Sequence, residues 1–123
     1  IIEVLACVGG LDIAGLTGVC LGGAMYHVPI VLDGFISTTA ALCAVKMIPE
    51  TRDYIIASHV SNEPAGRMLL EELKLSPFLD CNMCLGEGSG AVAAMPLLDM
   101  GLQVYRQMGT FADIKVEQYE VLE

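Results

Sequence analysis

Two short apolar runs, separated by a stretch of helical pattern, constrain this chain more than anything else in it. Val28-Pro29-Ile30-Val31-Leu32 ends at Asp33-Gly34, and Asp53-Tyr54-Ile55-Ile56-Ala57 ends at Ser58. Apolar runs of this length without polar alternation are strands buried on both faces, as in parallel sheets covered by helices. Between them, the Ala-rich stretch from Ser37 or Thr38 to Ile48 reads as a helix that Pro49 closes. Strand, helix and strand in that order predict parallel pairing through a crossover, and so an α/β layered fold.

The remaining elements follow from local signals. Asp12 to Tyr26 carries Ile13, Leu16, Leu21 and Met25 among small residues, which predicts a closely packed helix with Asp12 as its N-cap after Gly9-Gly10. Asn62-Glu63-Pro64 opens a third helix that runs to about Leu73. Pro77-Phe78-Leu79 has no assignable type. A long apolar helix is expected from about Ala91 to Met108, kinked by Pro96. In parallel sheets ligands collect at the carboxyl ends of the strands, and three polar turns fall at or near that rim: Asp33-Gly34, Ser58 to Ser61, and Gly86 to Gly90.

Composition excludes several functions. The 123 residues are enough for one domain. A 54% hydrophobic content without Trp exceeds what a core of this size uses, so apolar surface should face another chain or a missing segment. Charges at Asp12, Asp33, Lys46, Arg52 and Asp53 are spread through the first half, and no membrane partner is expected. Fifteen acidic residues against six basic ones, a net charge of -9, repel nucleic acid. A small phosphorylated ligand remains compatible, because backbone N–H groups and helix N-termini hold phosphate without Lys or Arg.

The five cysteines, at positions 7, 20, 43, 81 and 84, are odd in number and scattered, which points to reduced thiols and a cytoplasmic setting. Cys81-Asn82-Met83-Cys84 lacks a second Cys pair or a nearby His, so no metal is expected. The chain starts at Ile1-Ile2-Glu3-Val4 with neither Met nor a signal pattern, and is read as a piece of something longer.

Four strings occur in a fixed order: Val8-Gly9-Gly10-Leu11-Asp12-Ile13-Ala14-Gly15, then Pro29 to Thr38, then Tyr54-Ile55-Ile56-Ala57-Ser58-His59, then Leu85-Gly86-Glu87-Gly88-Ser89-Gly90-Ala91. Together they resemble the nicotinate mononucleotide:dimethylbenzimidazole phosphoribosyltransferase family, over about Val4 to Phe111. Four ordered motifs are far more specific than one Gly-rich string. The resemblance implies a Rossmann-like partial parallel sheet with layered helices, truncated on its N-terminal side. Residues 1–123 would be the C-terminal portion of the domain, with 112–123 an acidic tail.

The resemblance further implies transfer of phosphoribose from nicotinate mononucleotide to a benzimidazole, without a cofactor, by a homodimer. Glu87 would be the general base and Leu85 would touch the benzimidazole ring. Asp33, Gly34 and Ser61 would lie around the ribose phosphate, and Ser58, His59, Gly86 and Gly88 would complete the substrate-binding set. The residue types suit the chemistry. A benzimidazole sheds a ring proton as its other nitrogen attacks, which a carboxylate can take, and flanking glycines let the ring approach the backbone.

Structural readings stand beside these: Glu87 as a solvated helix-start carboxylate, His59 as a strand-end residue bonded to backbone, Asp33 as the cap of its own turn, the Gly-rich string as a tight turn. The missing N-terminal segment would hold much of the base pocket, so the chain by itself is expected to be inactive. The runner-up function is a non-catalytic remnant that binds a nucleotide-like ligand or a partner chain at the same rim. A weaker third is an unrelated phosphate binder.

Overall fold

A computed structural model describes residues 1–115 and 117. Helices α1 (Ile2–Val8) and α2 (Leu11–Met25) precede strand β1 (Ile30–Leu32), helix α3 (Phe35–Met47) and a 3-10 helix (Pro49–Tyr54). Strands β2 (Ile55–Ala57) and β3 (His59–Ser61), helix α4 (Gly66–Leu73) and strand β4 (Leu79–Met83) follow. Helices α5 (Ser89–Gln107) and α6 (Phe111–Ile114) end the described chain. The expected acidic tail, 112–123, falls mostly outside the described residues. Its start belongs to α6, whose N-terminus Thr110 and Asp113 close by reciprocal side-chain bonds to backbone N–H groups.

The α/β class and the parallel pairing are as expected, but the strands divide between two sheets. β1 pairs with β2 in parallel, Ile30 against Ile55 and Leu32 against Ala57. β3 pairs with β4 in parallel, His59 against Leu79 and Ser61 against Met83, with an irregularity between them. Ser58 alone separates β2 from β3, so the chain passes from one sheet to the other almost without turning aside. The stretch Ser58 to Ser61, expected as a polar turn, is therefore largely strand. Its buried polar atoms are bonded: the Ser58 carbonyl accepts from the N–H groups of Phe78 and Leu79 at 3.1 and 3.0 Å.

Other boundaries shift for local reasons. α2 begins at Leu11 with Gly10 in the capping position, and Asp12 lies in the first turn, not at the N-cap. α3 starts at Phe35, two residues before the expected Ser37, because Gly34 supplies the extended residue that precedes it. The 3-10 helix takes up Asp53 and Tyr54. α4 starts at Gly66, after the Asn62-Glu63-Pro64 signal rather than on it.

The main core joins Cys20 of α2, Leu32 of β1, Ala41 and Ala44 of α3, Ile55 of β2 and Leu73 of α4. Full burial of a leucine such as Leu32 or Leu73 contributes about 1.5–3 kcal/mol. Small residues of α3 let α2 and α4 approach it closely, and the Thr17 hydroxyl lies 2.8 Å from the Ile13 carbonyl and 3.2 Å from the Ala40 carbonyl, tying α2 to α3. On α2 the close packing is at Gly23, where a Cβ would meet Ile30. Gly15, Gly18 and Gly22 face open space. Arg52 donates through Nε to the Leu73 carbonyl at 2.8 Å and through Nη2 to the Lys74 carbonyl, satisfying the C-terminal carbonyls of α4.

The apolar surplus read from composition lies on the outside. α1 buries no residue and α5 buries only Gly90 and Ala94, while Ile2, Val8, Leu11, Val92, Met100 and Tyr105 are exposed. Among the described residues no helix is long and apolar enough to cross a membrane.

Candidate functional site

Because all four strands pair in parallel, the loops after β1, β3 and β4 gather at carboxyl ends. They line an open cleft of about 490 Å³. Asp33, Gly34, Phe35, Ile36 and Ser37 come from the end of β1 and the first turn of α3, and His59, Ser61 and Glu63 from β3 and beyond. Met83, Cys84, Leu85, Gly86 and Glu87 come from the end of β4 and the loop before α5, with Leu16 of α2 as the remaining wall.

Two helix N-termini bear on this region and are treated differently. That of α5 is filled from within the chain: Asp33 Oδ1 accepts from the N–H groups of Gly90 and Ala91 at 2.8 and 3.2 Å, and Oδ2 from Gly88 at 3.1 Å. A carboxylate is the ligand this position favours, since the first N–H groups of a helix have no partner within it and carry positive partial charge. That of α3 is lined by no carboxylate of its own first turn, and its Gly34, Phe35, Ile36 and Ser37 face the cleft.

The loop between β4 and α5 is conformationally expensive. Gly86, Glu87 and Gly88 all take left-handed backbone, with φ of 73°, 57° and 78°. Glycine adopts this freely, but Glu87 costs about 1–2 kcal/mol there. A hydrogen bond to a charged group contributes about 1.5–3 kcal/mol, so even one of the bonds to Asp33 offsets that strain. The turn is closed by the Ser89 N–H donating to the Gly86 carbonyl at 3.0 Å. Glu87 and Leu85 are exposed, Leu85 at 77%.

Asp33 is itself tied down. Its N–H donates to Ser37 Oγ at 3.0 Å and its carbonyl lies 3.3 Å from Ser58 Oγ. Ser58 Oγ is also 3.0 Å from Nδ1 of the buried His59, and the His59 ring lies directly under Gly90. One connected set of polar contacts thus runs from the middle of the fold to the start of α5.

The structure brings Asp33, Gly34, His59, Ser61, Leu85, Gly86 and Glu87 to one cleft, as the sequence reading grouped them. Ser58 and Gly88 do not line it. Ser58 is fully buried behind Asp33, and Gly88 contributes an N–H to the Asp33 carboxylate. Sequence reasoning missed Leu16, Phe35, Ile36, Ser37, Glu63, Met83 and Cys84 as lining residues. It also missed that Asp33 caps α5 rather than its own turn, a pairing across 55 to 58 positions that no local pattern signals. Among the described residues no three His, Cys, Asp or Glu side chains form a metal set. Cys81 and Cys84 are exposed free thiols.

The ionisable lining of the cleft consists of Asp33, Glu63, Glu87, His59 and Cys84, with no Lys or Arg. Asp33 is met by three N–H groups, which leaves Glu63 and Glu87 as the open carboxylates of the lining.

A family profile described as phosphoribosyltransferase matches residues 1–116. The chain is 54% identical over 122 residues to the nicotinate-nucleotide–dimethylbenzimidazole phosphoribosyltransferase of Ruminiclostridium cellulolyticum, covering 99% of this chain and 35% of that one. It is 50% identical over 121 residues to the protein of the same name from Clostridium acetobutylicum, covering 98% and 34%. The crystal structure of the Thermus thermophilus protein of that name superposes with a TM-score of 0.86 at 46% identity, over 95% of this chain and 35% of that one. The chain spans about a third of the length of these relatives.

Proposed function

This chain belongs to the phosphoribosyltransferase family, and from that premise we propose that it forms the base-bearing side of an active site that moves phosphoribose from nicotinate mononucleotide to 5,6-dimethylbenzimidazole. The observation that carries the reading is the left-handed Gly86-Glu87-Gly88 loop, which holds an open carboxylate at the rim of a cleft across from Asp33-Gly34. One ring nitrogen of the benzimidazole attacks the anomeric carbon while the bond from that carbon to the nicotinate nitrogen breaks and its electron pair leaves with nicotinate. The proton on the other ring nitrogen passes to the Glu87 carboxylate. The products are α-ribazole 5′-phosphate and nicotinate. Leu85 offers an apolar contact to the ring, and Gly86 and Gly88 let it approach the backbone.

The phosphate end of the nucleotide fits the other side of the cleft, at the first turn of α3 beside Gly34 and Ser61. A helix N-terminus holds an anion there by its free N–H groups, in a cleft whose lining has no Lys or Arg. Ser58 and His59 support this side from behind.

We further propose that residues 1–123 are the C-terminal portion of the domain and do not turn over alone. Glu87 and Leu85 are exposed, and two open carboxylates in a lining without Lys or Arg disfavour a nucleotide phosphate until further residues enclose it. Catalysis requires nucleotide, base and carboxylate to be held together. The exposed apolar residues of α1, α2 and α5 are the surface that the rest of the relatives' length and a second copy would cover. The test is a chimera in which this chain replaces the matching 122 residues of the Ruminiclostridium cellulolyticum relative. Chromatography should find α-ribazole 5′-phosphate made by the chimera and not by the chain alone. A folded chimera that makes none would overturn the reading.

A further inference from the structure

We infer that Asp33 serves the reaction as a positioning residue: its carboxylate sets the place and backbone conformation of Glu87 by gripping the loop on the far side of it. The inference rests on the reading of Glu87 as the base.

Glu87 is the one non-glycine in three successive left-handed residues, so the loop does not hold this shape by its own preference. What holds it lies immediately downstream. Gly88, Gly90 and Ala91 all point their N–H groups at the two oxygens of Asp33, fixing the chain from the residue after Glu87 into the first turn of α5. Both oxygens are used, so the grip fixes orientation as well as distance. Asp33 is in turn fixed at the end of β1 by Ser37 Oγ on its N–H and Ser58 Oγ at its carbonyl. The absent Cβ of Gly90 lets α5 start directly over the His59 ring, which sets the height of the loop above β3. The Asp33 carboxylate is thereby occupied by three N–H groups, and the loop that bears Glu87 is anchored to the residue that directly precedes Gly34. Base and phosphate sides keep a fixed spacing.

Asparagine is the informative replacement. Asp33→Asn keeps the shape and one acceptor oxygen, but turns an NH2 group toward at least one backbone N–H, so part of the grip becomes a repulsion. In the chimera with the Ruminiclostridium cellulolyticum relative, Asp33→Asn should lower kcat by about tenfold or more, the scale of a small misplacement of a catalytic group. In the Glu87→Gln background the same substitution should lower the residual rate by less than about twofold, because its effect passes through a group already removed. An equal loss in both backgrounds, or no loss in either, would overturn the proposal. A Glu87→Gln variant that keeps full activity would instead overturn the reading of the base on which it rests, and that arm is scored separately.

Hydrogen exchange on this chain gives a second readout that does not depend on turnover. Asp33→Asn should speed exchange at Gly88, Gly90 and Ala91 by about tenfold while leaving the Leu32 and Ile55 amides of the sheet unchanged. Uniform acceleration throughout the chain would assign Asp33 a role in folding only, and would overturn the positioning claim.

Discussion

The α-carbon of Gly90 lies against the imidazole of His59 so closely that a Cβ at position 90 would overlap the ring. Gly90→Ala is expected to cost about 1–3 kcal/mol, the scale of overpacking a filled site. Combining it with His59→Ala should recover at least half of that cost in denaturant titration. If the two losses simply add, the contact is not what makes glycine necessary.

Gly34 offers the opposite case. A Cβ there would come no nearer than 4.0 Å to any heavy atom outside its immediate neighbours, namely Ser61 Oγ, so Gly34→Val should fold normally while filling part of the cleft. Ser61→Ala removes one hydrogen-bonding group, worth roughly 0.5–1.5 kcal/mol. In the chimera both should weaken nicotinate mononucleotide more than free dimethylbenzimidazole by calorimetry. Equal loss for both ligands would mean that these residues do not sit on the phosphate side.

The cysteines separate by burial. Burial pushes the Cys20 thiol above its ordinary value of 9.0, whereas Cys7, Cys81 and Cys84 are exposed. At pH 8 a thiol reagent followed by mass spectrometry should modify the three exposed residues promptly and Cys20 only on unfolding. Because its folded pKa lies above the unfolded one, the contribution of the buried thiol to stability is complete below the unfolded value and is lost as pH rises through the folded value. Cys20→Ala should flatten that alkaline loss. Fast labelling of Cys20 in the folded chain would contradict the burial.

Much of this architecture is legible in the sequence because it rests on continuous apolar runs. Ile30 to Leu32 and Ile55 to Ala57 are strands for the reason their residues suggest, and the Ala-rich α3 lies between them. β3 was hidden because His59 and Ser61 are polar; burial of Ser58 and His59 is met by Ser58 Oγ, which contacts both the Asp33 carbonyl and His59 Nδ1. β4 was hidden because Leu79-Asp80-Cys81-Asn82-Met83 is mostly exposed and becomes a strand by pairing with β3. Seven of the residues singled out from the sequence line one cleft, but the N–H partners of the Asp33 carboxylate lie 55 to 58 positions away, whereas the sequence near Asp33 suggested a ligand or its own turn.

The most direct measurement is the rate of α-ribazole 5′-phosphate formation at saturating substrates by the chimera with and without Glu87→Gln. The amide keeps the shape of the carboxylate but cannot take the benzimidazole proton, so the rate should fall by about 10²-fold or more, the usual scale for loss of a general base. A rate within about twofold of the unsubstituted chimera, with the fold intact, would contradict the account and remove Glu87 from the chemistry.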